Sequence, residues 1–239
     1  MKPISVLTFC LLTATQVLGQ NPELVKDLEF AIHIHDTASV FESEIEATAA
    51  FEKVCEKFPE NWRPFYWTAY MYTQIGRAVD ILKRNEDPMS FIDEAQAYFD
   101  KAAARLSNKT SGEQSDFQAL QSLIYLFKAR FSEDETSQNI FKAAGQDALN
   151  QAIQANPENP LVYVLTGTAL IGEGTGEKNM ADILAGRVLL KEAQKKFEAA
   201  RPERSLTLHW NREWLPFWLP YTEKLLKGKN GGGRANGQE

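Results

Sequence analysis

The chain has 239 residues, 44% of them apolar and 24% charged, enough to bury a full core as one or two domains. Its formal net charge of −6 leaves no basic excess for a general nucleic-acid partner. The acidic balance otherwise speaks to solubility rather than to fold.

The first stretch, residues 1–19, reads as a secretory signal peptide. Met1-Lys2 gives a positive start, Ile4–Leu12 is mostly apolar, and Val17-Leu18-Gly19 ends in a small residue. The expected product is exported, periplasmic or extracellular, with no transmembrane segment in the mature chain. Cleavage after Gly19 removes Cys10 and leaves Cys55 alone, so no internal disulfide is available.

The remaining elements read as helices. Asn21-Pro22 opens the first, in which Leu24, Leu28, Ala31, Ile32 and His35 follow helical spacing. A second runs from about Ser39 to Lys57 and is stopped by Phe58-Pro59-Glu60-Asn61. Arg63–Ile75 is an aromatic-rich helix, Gly76–Pro88 a polar connector, and Asp87-Pro88 starts a helix ending near Leu106. Gln114–Phe131 follows, then an acidic link Ser132–Gln138 and a helix Ile140–Ala155. Asn156-Pro157-Glu158-Asn159 repeats the earlier stop, two periods on. Leu161–Ile171 comes next, then a loop Gly172–Asn179 and a helix Ala181–Ala200. A last helix covers Glu213–Lys227 and ends at Gly228. The Gly/Asn-rich remainder, 228–239, has nothing to bury and is expected to be a disordered tail. No strand-like alternation persists, so the fold class is all-α, with one helical repeat domain over 20–227.

The repeat sits in four of these helices. Small residues at Ala47, Ala95, Gly145 and Ala193 are each followed four positions on by a large apolar one: Phe51, Phe99, Leu149 and Phe197. Seven positions on stand Val54, Ala102, Ala152 and Ala200. These offsets share one helix face, and a long fixed period of this kind marks a helical repeat array. With Pro59 and Pro157, the pattern resembles helix B of the tetratricopeptide repeat; Trp67, Tyr70, Met71 and Gln74, and Tyr163, Thr166, Gly167 and Leu170, are a weaker likeness of helix A. The period exceeds that family's 34 residues, and the excess is assigned to longer connectors. The layout is similar to secreted or periplasmic bacterial proteins of tetratricopeptide type. That resemblance implies a right-handed α-solenoid of about four hairpins with a C-terminal capping helix.

Catalytic and metal constellations do not emerge. Gly172–Lys178 departs from a phosphate loop, because Glu177 separates Gly176 from Lys178 and a helix precedes it. His33 and His35 stand two apart and point to different helix faces, the wrong spacing for a zinc pair. The acidic groups around Glu44 and Glu133 read as solvated faces. The expectation is therefore no enzyme, no cofactor and no metal.

Aromatics are more informative. Trp62, Phe65, Tyr66, Trp67, Tyr70 and Tyr72 crowd one helix, on more than one side. The repeat register gives Trp67, Met71 and Gln74 to the core. Tyr66, Tyr70 and Thr73, with Arg63 at the edge, are expected to face a concave groove that binds a protein or peptide partner. The alternative is a small ligand such as a sugar held by the Trp62–Tyr72 cluster. Trp210, Trp214, Phe217, Trp218 and Tyr221 suit a capping helix or a dimer face, so the chain is expected to be a monomer or weak dimer.

Overall fold

A computed structural model describes residues 21–38, 40–107, 110–199 and 212–230. Among these there are nine α-helices and no strand: α1 Pro22–Thr37, α2 Phe41–Lys57, α3 Trp62–Ile81, α4 Pro88–Arg105, α5 Ser111–Phe131, α6 Glu135–Ala155, α7 Pro160–Gly176, α8 Met180–Ala199 and α9 Leu215–Asn230. A 3₁₀ turn, Arg212–Trp214, leads into α9. The segment read as a signal peptide, and the tail beyond Asn230, lie outside the described residues.

Local chemistry explains most helix ends. The recurring Pro-Glu-Asn is a helix–turn–helix joint. Its proline ends one helix, and the asparagine caps the next: Asn61 Oδ1 accepts from Arg63 N at 3.0 Å, and Asn159 Oδ1 from Leu161 N at 2.9 Å. Both joints close with the same turn, Asn61 N to Phe58 O and Asn159 N to Asn156 O. Asn21, Asp87 and Asp134 cap α1, α4 and α6 in the same way, and Thr110 with Glu113 forms a capping box on α5.

The helices pack as expected of hairpins. The most extensive contacts join α5 to α6, α7 to α8 and α3 to α4, and α5 also touches both α3 and α7. The repeated large residues hold these joints: Phe51, Phe99, Leu149 and Phe197 are all buried, beside buried Ala47, Ala95, Gly145 and Ala193. Phe51 stacks flat on Trp67 of α3, ring centroids 5.4 Å apart.

The long period arises differently from the expectation. The extra residues lie in the helices, not in connectors. Helix α3 continues through Gly76 to Ile81, because Gly76 lets Ile92 of α4 approach; a Cβ there would lie 2.8 Å from Ile92 Cδ1. The Gly172–Asn179 stretch is likewise mostly helix: α7 runs to Gly176 and only Glu177–Asn179 turns. Both helices then end alike. Lys83 (φ 51°) and Lys178 (φ 59°) take the left-handed position, and the next N–H reaches back to Val79 O and Gly174 O. Helix α6 begins at Glu135 inside the expected acidic link, and α9 passes Gly228 to reach Asn230.

Candidate functional site

Helix α3 is enclosed on nearly every side, since α2, α4 and α5 all pack on it. Both of its faces are therefore core. Trp67 and Met71 are fully buried and Gln74 nearly so, and Tyr66, Tyr70 and Thr73 are equally fully buried. The face expected to line a groove is closed, by α5 at Tyr66 and by α1 and the 212–214 turn at Tyr70. Tyr66 donates to the Asp116 carbonyl at 3.2 Å and packs on Phe117, while Thr73 donates to the Tyr70 carbonyl. Arg63 is half-buried, over the Trp62 ring and 3.5 Å from Glu113. Burial pulls its pKa down, opposed by Glu113. The flat faces proposed for sugar are spent on other rings: Trp62 packs on Tyr66 and Phe117, and Tyr72 stacks on Tyr98.

An accessible concavity lies farther along the same helices. A cavity of about 770 Å³ opens between the C-terminal halves of α3 and α5 and the middle of α7, and the 3₁₀ turn with α9 closes its side. Each of the three helices contributes an i,i+4 pair: Arg77 and Ile81, Leu123 and Phe127, Leu165 and Ala169. Leu126, Arg130 and Thr168 complete those walls, and Glu213, Trp214, Phe217 and Trp218 stand opposite. Ile81 and Phe217, 56% and 63% exposed, are large apolar side chains left at its mouth. The volume is that of a small-molecule site, and the lining is aliphatic and aromatic with a few charges.

Those charges are mainly cationic. Arg77 sits over the Trp214 ring, 5.1 Å from its centroid, and donates to Gln74 rather than to a carboxylate. Arg130 pairs with Asp80 at 2.6 Å. Burial would raise the Asp80 pKa, but Arg130 and Lys83 outweigh it and hold the carboxyl below its ordinary range. Glu213 is the acidic wall residue and accepts a hydrogen bond from Tyr70. The indole N–H of Trp214 is buried with no hydrogen-bond partner among the described residues.

Behind the cavity lies a buried polar string. His35 of α1, 7% exposed, sits edge-on to Tyr70 and 3.1 Å from Glu44 Oε2. Burial alone would lower its pKa. The Glu44 hydrogen bond and the fields of Glu44, Glu213 and Asp36 outweigh that and raise it above the ordinary value. Cys55 is also buried. Desolvation pushes its thiol up to about 11, against a hydrogen bond with Thr68. Among the described residues no three His, Cys, Asp or Glu side chains are grouped to hold a metal ion. No described helix is long and apolar enough to cross a membrane.

The α3 lining of this cavity is Arg77 and Ile81, C-terminal to the stretch expected to face a groove. Arg77 and Ile81 fell in a presumed connector, so their pairing with Leu123, Phe127, Leu165 and Ala169 was not visible. The i,i+4 pairs on three successive odd helices are the signal that was available.

No family model matches the chain, and no curated protein matches its sequence. In structure the chain is similar to the HusA haemophore from Porphyromonas gingivalis. The TM-score is 0.62 over 92% of this chain and all of that one, at 16% sequence identity. A likeness at that identity is one of fold: both are built on the same helical plan.

Proposed function

We propose that this protein is a non-catalytic binding protein whose cavity between α3, α5, α7 and α9 takes a flat, apolar, carboxylate-bearing molecule of the porphyrin class. The observation that carries the reading is the pairing of apolar walls with two guanidinium groups, Arg77 and Arg130, in one cavity of suitable volume. The structural neighbour is a haemophore, which favours haem or a related tetrapyrrole over other flat acids. Trp214, Phe217 and Trp218 would face the macrocycle, and the arginines would meet its carboxylates. Haem iron is commonly held by His, Cys, Met or Tyr, and none of these lines the cavity among the described residues. The grip would therefore come from ring faces and acid groups. The fold is read as a right-handed α-solenoid of four hairpins, of tetratricopeptide-like type and exported, with α9 completing the ligand cavity rather than only capping the array.

A protein or peptide partner draws no support from α3, since Tyr66, Tyr70 and Thr73 would have to leave the core to reach it. The test is a titration of the chain with haem and with iron-free protoporphyrin, read by tryptophan fluorescence and by the porphyrin absorbance band. Saturable one-to-one binding of both is expected. Absence of binding by either at micromolar concentrations would overturn the reading.

A further inference from the structure

We propose that the string His35–Tyr70–Glu213, buried at His35 and Tyr70 and exposed at Glu213, positions the Trp214 wall of the cavity, and that the charge on His35 grades the cavity's affinity for carboxylate-bearing ligands. This rests on the reading of the cavity as a site for acidic porphyrins.

The string ties four parts of the chain to one wall. Glu213 lines the cavity and is bonded in sequence to Trp214, in the turn that starts α9. Tyr70 of α3 is fully buried, and its hydroxyl donates to Glu213 Oε1. Its ring meets His35 of α1 edge to face, centroids 5.8 Å apart at 82°. His35 is in turn held by Glu44 of α2. From the other side, Arg77 of α3 covers the Trp214 ring. The turn is thus clamped between a tyrosine hydroxyl and a guanidinium, and its register sets how far the indole reaches into the cavity.

The groups facing His35 are acidic. Glu44 approaches from α2, Glu213 from the turn and Asp36 along its own helix, while Tyr70 and Trp67 present rings from α3. As an imidazolium, His35 offsets the field of Glu213. As a neutral imidazole it does not, and Glu213 then opposes the ligand carboxylates that Arg77 and Arg130 attract. His35 carries its charge on the acid side, and its raised pKa moves the loss of that charge upward in pH. Affinity is highest on the acid side and falls as pH rises through a value above the ordinary one of about 6.5. Porphyrin carboxylates are ionised throughout that range and contribute no step of their own.

Two arms test this with the full chain. The first is titration with protoporphyrin from about pH 6 to about pH 9, where histidine is the ordinary side chain to change charge. The wild type should weaken about threefold or more across that range, as expected for loss of one nearby screened charge. His35→Gln should bind with no slope, and the dimethyl ester of the same porphyrin should show none with the wild type. A flat wild-type profile, or a slope retained in His35→Gln, overturns the proposal. The second arm needs no ligand. Hydrogen exchange across residues 212–230, corrected for intrinsic rates, should lose protection with rising pH in the wild type and not in His35→Gln. Identical exchange in the two overturns the proposal whatever the porphyrin result. Failure of all porphyrin binding with the exchange difference intact would instead refute the ligand and keep the string.

Discussion

Two glycines on one hairpin should respond to alanine in opposite directions. At Gly186 of α8 a Cβ would lie 2.5 Å from the Gly167 carbonyl oxygen and 2.7 Å from Ile171 Cγ1. The first obstacle is backbone, so no rotamer relieves it, and α7 and α8 must move apart. Alanine gains about 1 kcal/mol of helix propensity over glycine. Overpacking costs about 1–3 kcal/mol, with the upper part of the range suited to a backbone clash. Gly186→Ala should therefore lose about 1–2 kcal/mol net, which lowers Tm by about 2–8 °C at this size. At Gly172 of α7 nothing lies within 4 Å of the added Cβ. Gly172 is helical, so Gly172→Ala should gain about 0.5–1 kcal/mol. Urea unfolding followed by far-UV circular dichroism measures both. A neutral or stabilised Gly186→Ala would refute the close α7–α8 crossing. A destabilised Gly172→Ala would return the glycine-rich stretch to a loop.

Two further outcomes follow from the first hairpin. Phe51→Ala should cost about 3–5 kcal/mol, because it empties a fully buried site and unstacks Trp67; a loss under about 1 kcal/mol in urea unfolding would show that the site refills. Cys55 should react with a thiol reagent far more slowly in native buffer than in denaturant, given 5% exposure and a thiol raised to about 11; equal rates would place it at the surface.

Much of the architecture was legible because it is written in repeated local rules. Small and large residues four apart place Ala47 and Phe51, or Ala193 and Phe197, on one helix face, and proline then asparagine fixes the joint that follows. The errors came where packing overrides propensity. Gly76 and the glycines of 172–176 read as breakers, yet they lie in helix, and Gly76 and Gly174 are where a neighbour comes close. The aromatic face of α3 misled because residue type cannot tell a ring packed between helices from one turned to a groove. Tyr66 and Tyr70 look like binding anchors in sequence and are core residues in the fold. The cavity was illegible for a related reason. Arg77, Phe127, Leu165 and Trp214 are unremarkable one at a time, and only the stacking of α3, α5 and α7 beside the 212–214 turn brings them together.

The central claim, that the cavity lined by these helices is the ligand site, is tested most directly by filling it. Ala169 lines the cavity from α7 and is exposed, so a larger side chain there meets the cavity rather than the core. Protoporphyrin affinity of Ala169→Trp, measured beside the wild type by fluorescence quenching, should fall at least about tenfold, the equivalent of about 1.4 kcal/mol, with unchanged circular dichroism and melting. A well-folded Ala169→Trp that binds porphyrin as tightly as the wild type would contradict the assignment.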